Sequence, residues 1–417
     1  MLDIQSVRKQ FPALQRQVNG RTPVYLDGPG GTQVPQCVID AIADYLGRCN
    51  SNHGGVFTTS RESDRIVHDA HLSIADLLNA PSADEIVFGQ NMTSLTLHLS
   101  RAFARTLKPG DQIMVTRLDH DANVSPWVLA ARDAGAEAVF VDIHPEDCTL
   151  DLDDLRRKLT PRTRLLAVSC ASNAVGTIND VHSIARLAHD AGALVYVDAV
   201  HYAPHAPIDV QDWDCDFLAC SAYKFFGPHV GILWGRSELL RTLPAYKVRP
   251  AADTLPDRWM TGTQNHEGLA GVATAVDYLA GIAVGGKFDR DFPAMSGRRL
   301  RLHANLSAIQ EYEAGLVRQL LAGLEERPRF RVWGIKQPDR AGHRAPTVAI
   351  TDNVRSPLQL AESLASQEIY AWNGNFYALN LTERLGLEER GGFLRLGLVH
   401  YNTQAEVERL LDALDRA

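Results

Sequence analysis

Apolar and polar positions alternate in blocks along the first half of the chain, from about residue 23 to residue 235. Short apolar runs lie at residues 85–88, 112–115, 138–141, 165–168, 194–197 and 231–234. Most of the stretches between them have helical periodicity, as in residues 181–190, which end at an Ala-Gly pair. Apolar strands separated by helices predict an α/β fold, with a mostly parallel sheet covered by helices on both faces.

The pattern changes after about residue 292. Residues 300–324 have the periodicity of one long helix. The strand-like runs 347–350 and 393–396 then alternate with helical stretches. This pattern predicts a small α+β domain at the C-terminal end.

The domain organisation follows from these two patterns. We predict a large domain over residues 23–290 and a small C-terminal domain over residues 291–417. The boundary is expected in the Gly/Pro-containing stretch near 283–298. Residues 1–22 are predicted to form an N-terminal segment that packs with the small domain.

The composition is that of an ordinary soluble globular protein, with 45% hydrophobic and 22% charged residues among 417. A net charge of −8 argues against binding to nucleic acid or to anionic membrane surfaces. No apolar run has the length of a signal-peptide core or a membrane span, so we expect a cytoplasmic protein.

The cysteines indicate reduced thiols rather than disulfides or a metal site. They are Cys37, Cys49, Cys148, Cys170, Cys215 and Cys220. No two of them form a CxxC pair, and no histidine cluster completes a set of metal ligands. No cysteine follows Cys220 in the sequence.

Two charged residues follow neighbouring apolar runs. Asp198 ends the run 194–197, and Lys224 follows the apolar run that ends at Ser221. Alone, Asp198 suits a helix N-cap and Lys224 suits a surface position. Together they suit pyridoxal 5′-phosphate (PLP), because a lysine amine forms an imine with its aldehyde and a carboxylate pairs with its protonated ring nitrogen.

A phosphate site is predicted where a strand is followed by the start of a helix. Asn91, Met92 and Thr93 stand at that helix N-terminus, which offers backbone N–H groups and a hydroxyl. Ser221, near Lys224, could reach the same phosphate. A simple capping motif is the alternative interpretation of residues 91–93.

Four further polar residues are candidates for contacts with the cofactor or the substrate. His120 could stack on the cofactor ring, and Asn173 and His201 could reach its phenolic oxygen. Asn173 also suits a turn. Arg395 could hold a substrate carboxylate with two hydrogen bonds, or it could be an ordinary surface arginine.

In this order and spacing, these residues resemble the class V aminotransferases, PLP enzymes of fold type I, and within them the cysteine desulfurase and selenocysteine lyase group. The resemblance implies a large domain with a seven-stranded-type, mostly parallel sheet and a small α+β domain. It identifies Tyr25-Leu26-Asp27 as the opening strand. The glycine-rich segment 25–32 lacks the GxGxxG spacing, and Pro29 would stiffen its turn, so it is discounted as a nucleotide site. The resemblance also implies a homodimer with shared active sites, in which Thr263 reaches the phosphate of the neighbouring subunit.

The resemblance assigns each candidate a role. Thr93 corresponds to the phosphate-binding threonine and His120 to the stacking histidine, which we count with Lys224 and Asp198 as catalytic. Asn173 and Arg395 are expected to contact the substrate. The residues expected to bind the cofactor are Asn91, Met92, Thr93, His120, Asn173, Asp198, His201, Ser221, Tyr223, Lys224 and Thr263.

Three departures from the desulfurase pattern bear on the reaction. Residues 371–379, where desulfurases carry a nucleophilic cysteine, contain none. His201 stands where desulfurases usually have Gln, as in kynureninases and epimerases, and Tyr223 replaces a phosphate-binding histidine. Accepting sulfur as a persulfide needs a thiolate.

We therefore expect a PLP lyase that cleaves a bond at Cβ of a small amino acid, of the C–S type, without a protein persulfide. An aminotransferase that passes the amino group to a keto acid is the second hypothesis. A non-catalytic PLP-binding protein is a third, and the retention of Asp198, Lys224 and Arg395 together counts against it.

Overall fold

The structure, a computed structural model, describes residues 2–282 and 288–417. Part of the predicted boundary stretch near 283–298 thus lies outside the described residues. The strands are β1 (Val24–Tyr25), β2 (Ile86–Gly89), β3 (Gln112–Thr116), β4 (Glu137–Val141), β5 (Ile143–His144), β6 (Thr149–Leu150), β7 (Thr163–Ser169), β8 (Leu194–Asp198), β9 (Phe217–Ser221), β10 (Gly231–Gly235), β11 (Phe330–Trp333), β12 (Thr347–Asp352), β13 (Ile369–Tyr370), β14 (Trp372–Gly374) and β15 (Phe393–Gly397).

The α-helices connect and cover these strands, and those at Val181–Asp190 and Gly297–Glu325 fall on stretches that the sequence predicts to be helical. They are α1 (Ile4–Arg8), α2 (Gln36–Asp44), α3 (Thr58–Leu77), α4 (Met92–Ala104), α5 (Ser125–Ala134), α6 (Leu152–Lys158), α7 (Val181–Asp190), α8 (Ser237–Thr242), α9 (His266–Gly281), α10 (Gly297–Glu325), α11 (Pro357–Ala365), α12 (Leu379–Arg384) and α13 (Gln404–Arg416). Within the described ranges, none of these helices has both the length and the apolar character needed to cross a bilayer.

A seven-stranded sheet forms the centre of the large domain, in the order β2-β10-β9-β8-β7-β3-β4. Only β10 runs antiparallel to its neighbours, and the other pairs in this sheet are parallel. Its central strands are buried on both faces because helices cover both sides. The predicted α/β fold with a mostly parallel sheet is confirmed.

The order of the strands brings the ends of three of them together. Ser169 at the end of β7 is the register partner of Asp198, and Asp198 is the register partner of Ala219 in β9. The end of β9 then leads directly into the turn that carries Lys224. The carboxyl ends of neighbouring parallel strands therefore present their polar side chains at one edge of the sheet.

The small domain is built on a four-stranded antiparallel sheet in the order β11-β12-β15-β14. The predicted long helix is α10, and it joins the two cores. Leu302 and Ile309 in its first half pack into the core of the large sheet. Leu316 and Leu320 in its second half pack into the core of the small sheet.

The N-terminal segment contacts both parts of the molecule. Phe11 and Leu14 lie in the core of the large sheet, which also includes Tyr401 near the C-terminus. Arg8 donates to the Tyr401 carbonyl at 2.6 Å and pairs with Glu406 at 2.9 Å. The exact domain boundaries stay a prediction.

Candidate active site

A cavity of about 300 Å³ lies at the carboxyl ends of the large-sheet strands, against the small domain. It contains all the predicted site residues except Thr263. Its lining residues are Pro29, Gly30, Asn91, Met92, Thr93, His120, Ala122, Ser169, Ala171, Asn173, Asp198, Val200, His201, Ser221, Tyr223, Lys224, Trp372, Phe376, Tyr377 and Arg395. The predicted residues thus come together in one cavity and form part of its wall.

Lys224 is buried in a short turn directly after β9. Its Nζ donates to the carbonyl of Pro29 and lies 4.7 Å from the centre of the Tyr223 ring. Burial, helped by the positive charge of Arg395 and opposed by Asp198, lowers the pKa of Lys224 to about 7. A large fraction of the amine is therefore neutral near pH 7, which a nucleophilic lysine requires.

Asp198 is buried at the end of β8, and its Oδ1 accepts a hydrogen bond of 2.9 Å from the Val200 N–H. Burial raises the pKa of Asp198 to about 6, while that hydrogen bond and the charge of Lys224 act in the opposite direction. The side chain is thus ionised at pH 7 and carries a charge that a cationic partner in the cavity would stabilise.

A second buried acid stands behind this edge of the sheet and was not identified from the sequence. Asp119 accepts from the Thr116 hydroxyl and, at 2.7 Å, from the Asn123 amide. Burial and the charge of Asp198 raise the pKa of Asp119 to about 8, against those hydrogen bonds. Asp119 is therefore mostly protonated near neutral pH, and its hydrogen bonds fix the loop that carries His120.

His120 presents a flat, neutral ring to the cavity. Its Nδ1 accepts from the Ala122 N–H at 3.0 Å. Burial, with the charges of Lys224 and Arg395, lowers the pKa of His120 to about 4. The ring lies nearly parallel to that of Tyr377, with centroids 5.4 Å apart and planes 18° apart. A neutral imidazole of this kind can stack on an aromatic ligand.

Arg395 and Asn173 form the opposite side of the cavity. Arg395 is buried in β15, donates to the Asn173 carbonyl at 2.9 Å and lies 3.9 Å from the centre of the Phe376 ring. Burial lowers the pKa of Arg395 to about 9, and the charge of Asp27 counteracts this. The Arg395 Nε and the Asn173 Oδ1 are buried without a hydrogen-bond partner among the described residues.

The first turn of α4 forms a third wall. Asn91 caps the helix by accepting from the Ser94 N–H at 2.9 Å, and the Met92 N–H donates to the Ser221 hydroxyl at 3.1 Å. A side chain at Gly231 would meet the Asn91 backbone at 2.3 Å, so glycine there allows this helix end to approach β10. The N-terminus of α4, with Thr93 and Ser221 beside it, has the features of an anion site.

His201 and Tyr223 line the cavity but are partly engaged elsewhere. The Nε2 of His201 lies 3.0 Å from the Thr347 hydroxyl. Burial, with the charge of His205, lowers the pKa of His201 well below its usual value, so the ring is neutral. The Tyr223 ring is parallel to that of His229, with centroids 5.0 Å apart.

Thr263 lies outside the cavity. It lines a separate, larger space of about 930 Å³, together with Gln90, Ser94 and His229. The contact predicted for Thr263, with a phosphate in the neighbouring subunit, concerns a second chain and stays a prediction.

The residues that sequence reasoning missed form the outer wall. Trp372, Phe376 and Tyr377 lie in residues 371–379, the segment without a nucleophilic cysteine. Pro29 and Gly30 belong to the glycine-rich segment set aside as a nucleotide site. The signal available in the sequence was the aromatic content of residues 372–377, close before the strand that carries Arg395.

The cavity fits PLP on the chemistry of its donors. A helix N-terminus with two hydroxyls suits the phosphate, the Asp198 carboxylate suits a protonated ring nitrogen, and the Lys224 amine suits the aldehyde. The unpartnered Nε of Arg395 and Oδ1 of Asn173 leave polar atoms available to a ligand that brings its own carboxylate and donors.

Comparisons with known proteins agree with this geometry. A family model described as aminotransferase class-V matches residues 24–286 and 298–410. A cysteine desulfurase from Dickeya dadantii is 32% identical over 99% of this chain and 96% of its own length. A cysteine desulfurase from Serratia proteamaculans is also 32% identical, over 99% of this chain and 98% of its own.

Solved structures give the same result. The crystal structure of a cysteine desulfurase from Escherichia coli matches with a TM-score of 0.84 at 27% identity, covering 100% of this chain and 98% of its own. The structure of a cysteine desulfurase from Thermococcus onnurineus, with a TM-score of 0.86, 26% identity and the same coverage, is likewise similar over the whole chain.

Proposed function

The chain belongs to the class V aminotransferase family and is therefore a PLP-dependent enzyme, and we propose that it cleaves a bond at Cβ of a small amino acid. The bond is of the C–S type, and the reaction uses no protein persulfide. The observation that carries the proposal is a cavity that contains Lys224, Asp198 and Arg395. Among the described residues, no cysteine lines this cavity.

The residues that would hold PLP are divided among three walls of the cavity. PLP, when bound, supplies an electron sink for the pair released when a bond at Cα breaks. Thr93, Ser221 and the N-terminus of α4 would bind the phosphate. Asp198 would keep the ring nitrogen protonated, and His120 would cover the ring and exclude water from that face.

Arg395 and Lys224 act on the substrate. The guanidinium of Arg395 binds the α-carboxylate, and the Asn173 side chain lies beside it. Lys224 Nζ takes the proton from Cα, which its lowered pKa permits near neutral pH. The substituent at Cβ then leaves with its electron pair, and no nucleophile of the protein is required.

The cysteines of this chain are poorly suited to accept sulfur. Burial raises the pKa of Cys148 to about 11 and raises the pKa values of Cys170 and Cys220 well above the usual value of a thiol. Cys37 is exposed, lies on α2 and does not line the cavity, and burial of its sulfur also raises its pKa. None of these thiols therefore offers a thiolate at the place where the Cβ substituent would leave.

Cysteine, where it is turned over, is expected to yield free sulfide, pyruvate and ammonia, without an enzyme persulfide. The measurement is incubation with cysteine, alkylation, and mass analysis without reductant, with pyruvate and ammonia assayed in parallel. A persulfide formed at the turnover rate on any cysteine would return the protein to the desulfurases. Transfer of the amino group to an added keto acid, without ammonia release, would identify an aminotransferase instead.

We further propose a homodimer with shared active sites. The support is Thr263, which lies outside the cavity of its own chain in a space that also contains Gln90 of the loop before α4. Thr263→Ala is expected to weaken PLP retention, whereas Thr242→Ala on the exposed side of α8 should not. The measurement is the cofactor content after dialysis.

Mixing subunits tests the sharing directly. A hybrid of a Thr263→Ala subunit and a Lys224→Ala subunit has one site with both changes and one site with neither. Activity should therefore rise on mixing two weakly active preparations. An active monomer at micromolar concentration contradicts the proposal.

A further inference from the structure

We infer that Trp372, Phe376 and Tyr377 form a subsite for the substrate's Cβ substituent, and that this substituent is an uncharged thioether with an apolar or aromatic group on sulfur. The inference rests on the proposed Cβ cleavage and adds the class of leaving group. Cysteine itself would then be a minimal substrate, and cysteine S-conjugates would be the preferred ones.

Trp372 is fixed next to the residue that binds the carboxylate. It is the register partner of Arg395 in the antiparallel pair β14–β15, so the two side chains lie on the same face of the sheet, with Cβ atoms about 5 Å apart. A substrate held by Arg395 through its carboxylate therefore places the atoms next to that carboxylate beside the indole.

The glycine-rich segment accommodates this indole. A Cβ atom on Gly30 would lie 2.6 Å from the Trp372 Nε1 and 3.1 Å from its Cδ1. The absence of a side chain at Gly30 thus allows the indole to lie directly on the backbone. The carbonyl of the preceding residue, Pro29, accepts the hydrogen bond from Lys224 Nζ. The contact with the indole gives Gly30 a structural role without a nucleotide.

Phe376 and Tyr377 are held in a backbone conformation that costs energy. Both have positive φ values, 55° and 59°. The Asn173 amide donates to the Phe376 carbonyl at 2.8 Å, and the Asp121 N–H donates to the Tyr377 carbonyl at 2.7 Å. Two consecutive non-glycine residues in this region, held from both sides, indicate a selected orientation of their rings.

The two rings have different positions around the site. Phe376 covers the guanidinium of Arg395, and Tyr377 covers His120. Tyr377 is 72% exposed and Trp372 is 54% exposed, so both stand at the open end of the cavity. A Cβ substituent that points away from Lys224 and towards the open end would therefore meet the rings of Trp372 and Tyr377.

The charge distribution selects against a charged substituent. The charged groups that line the cavity within the described residues are Lys224, Asp198 and Arg395, and each has a role in the proposed reaction. An acidic or basic group beside these aromatic rings would gain no opposite charge, because the three charged groups of the cavity are already engaged. Sulfur and aromatic groups, in contrast, make favourable contacts with aromatic rings.

The reaction balances without an oxidant or a further cofactor. An S-substituted cysteine and one water give the free thiol, pyruvate and ammonium. The Cα–H, Cβ–S and Cα–N bonds break. The thiol keeps the electron pair of the Cβ–S bond and gains a proton, Cβ gains a proton, the nitrogen leaves as ammonium, and water supplies the oxygen of the keto group. Carbon and sulfur undergo no net oxidation or reduction.

The test compares three substrates that differ only in the group on sulfur: S-phenyl-L-cysteine, S-methyl-L-cysteine and S-carboxymethyl-L-cysteine. Binding is measured by calorimetry on the holoenzyme with their α-methyl analogues, which have no Cα–H to lose. The phenyl compound is expected to bind at least about tenfold more tightly than the carboxymethyl compound. Release of thiol is measured separately with the three parent amino acids.

Two variants connect this preference to the aromatic segment. Trp372→Ala should reduce the phenyl-over-carboxymethyl ratio several-fold, and Trp372→Phe, which keeps a ring, should retain most of it. Leu358→Ala is the matched control, because Leu358 is 52% exposed in the same domain and does not line the cavity.

The outcomes separate this inference from the proposed reaction. Equal binding of the three analogues, or a ratio that Trp372→Ala leaves unchanged, overturns the aromatic subsite even if thiol is released. Tight, Trp372-dependent binding of the phenyl analogue without thiol release supports the subsite and overturns the lyase. A Trp372→Ala variant that changes only the oligomeric state assigns the ring to a subunit contact and overturns the subsite.

Discussion

Lys224→Ala is expected to lose the covalent attachment of the cofactor and to reduce turnover by about 10²- to 10⁴-fold, because it removes the group that would move the Cα proton. The structure places no second lysine on the wall of the cavity within the described residues. The fold should tolerate the change, since the hydrogen bond lost is a single one from Nζ to the Pro29 carbonyl.

The attachment can be measured without an activity assay. Borohydride reduction of the purified protein, followed by peptide mapping, should place the pyridoxyl group on Lys224. Lys336→Ala, a change at an exposed lysine of the small domain, is the matched control and should be labelled like the unaltered protein. Labelling of another lysine, or none, would remove the basis for the assigned role of Lys224.

The buried strands and the polar residues at their ends could be predicted from the sequence, because both follow from local patterns. The inner residues of buried strands such as β7 and β8 are apolar because helices cover both faces, so these strands were visible as apolar runs. Asp198 and Lys224 were recognisable because the chemistry of the cofactor requires their residue types at strand ends. The sheet brings these two side chains together, since neighbouring parallel strands end at one edge.

The outer wall of the site could not be predicted in the same way. The place of Trp372 depends on its pairing with Arg395 across the short strand β14, and the orientation of Tyr377 depends on a positive φ value. Both are set by long-range contacts, with β15 and with the loop after β3, and neither leaves a local periodic signal. Asp119 was missed for a related reason, because its hydrogen bonds are visible only after the loop has folded.

Asp198→Asn is expected to keep the cofactor and lose about 10²-fold or more of the turnover rate. An amide cannot hold a ring nitrogen in its protonated form, because only a neighbouring negative charge favours the charged ring. The Asn side chain can still accept from the Val200 N–H, which donates to Asp198 Oδ1 at 2.9 Å, so the local structure should persist. Burial of a neutral amide also removes the cost of burying a carboxylate.

Asp180→Asn is the control that isolates the effect of removing a negative charge. Asp180 is the exposed N-cap of α7 and accepts from the Ser183 N–H at 3.1 Å, a role that Asn fills equally well. Steady-state rates and cofactor content are measured for both variants. If the negative charge of Asp198 is what matters, Asp198→Asn alone loses turnover while both variants retain cofactor. Near-normal turnover in Asp198→Asn would mean that the ring nitrogen does not depend on this carboxylate, and the orientation of the cofactor between β8 and His120 would have to be reassigned.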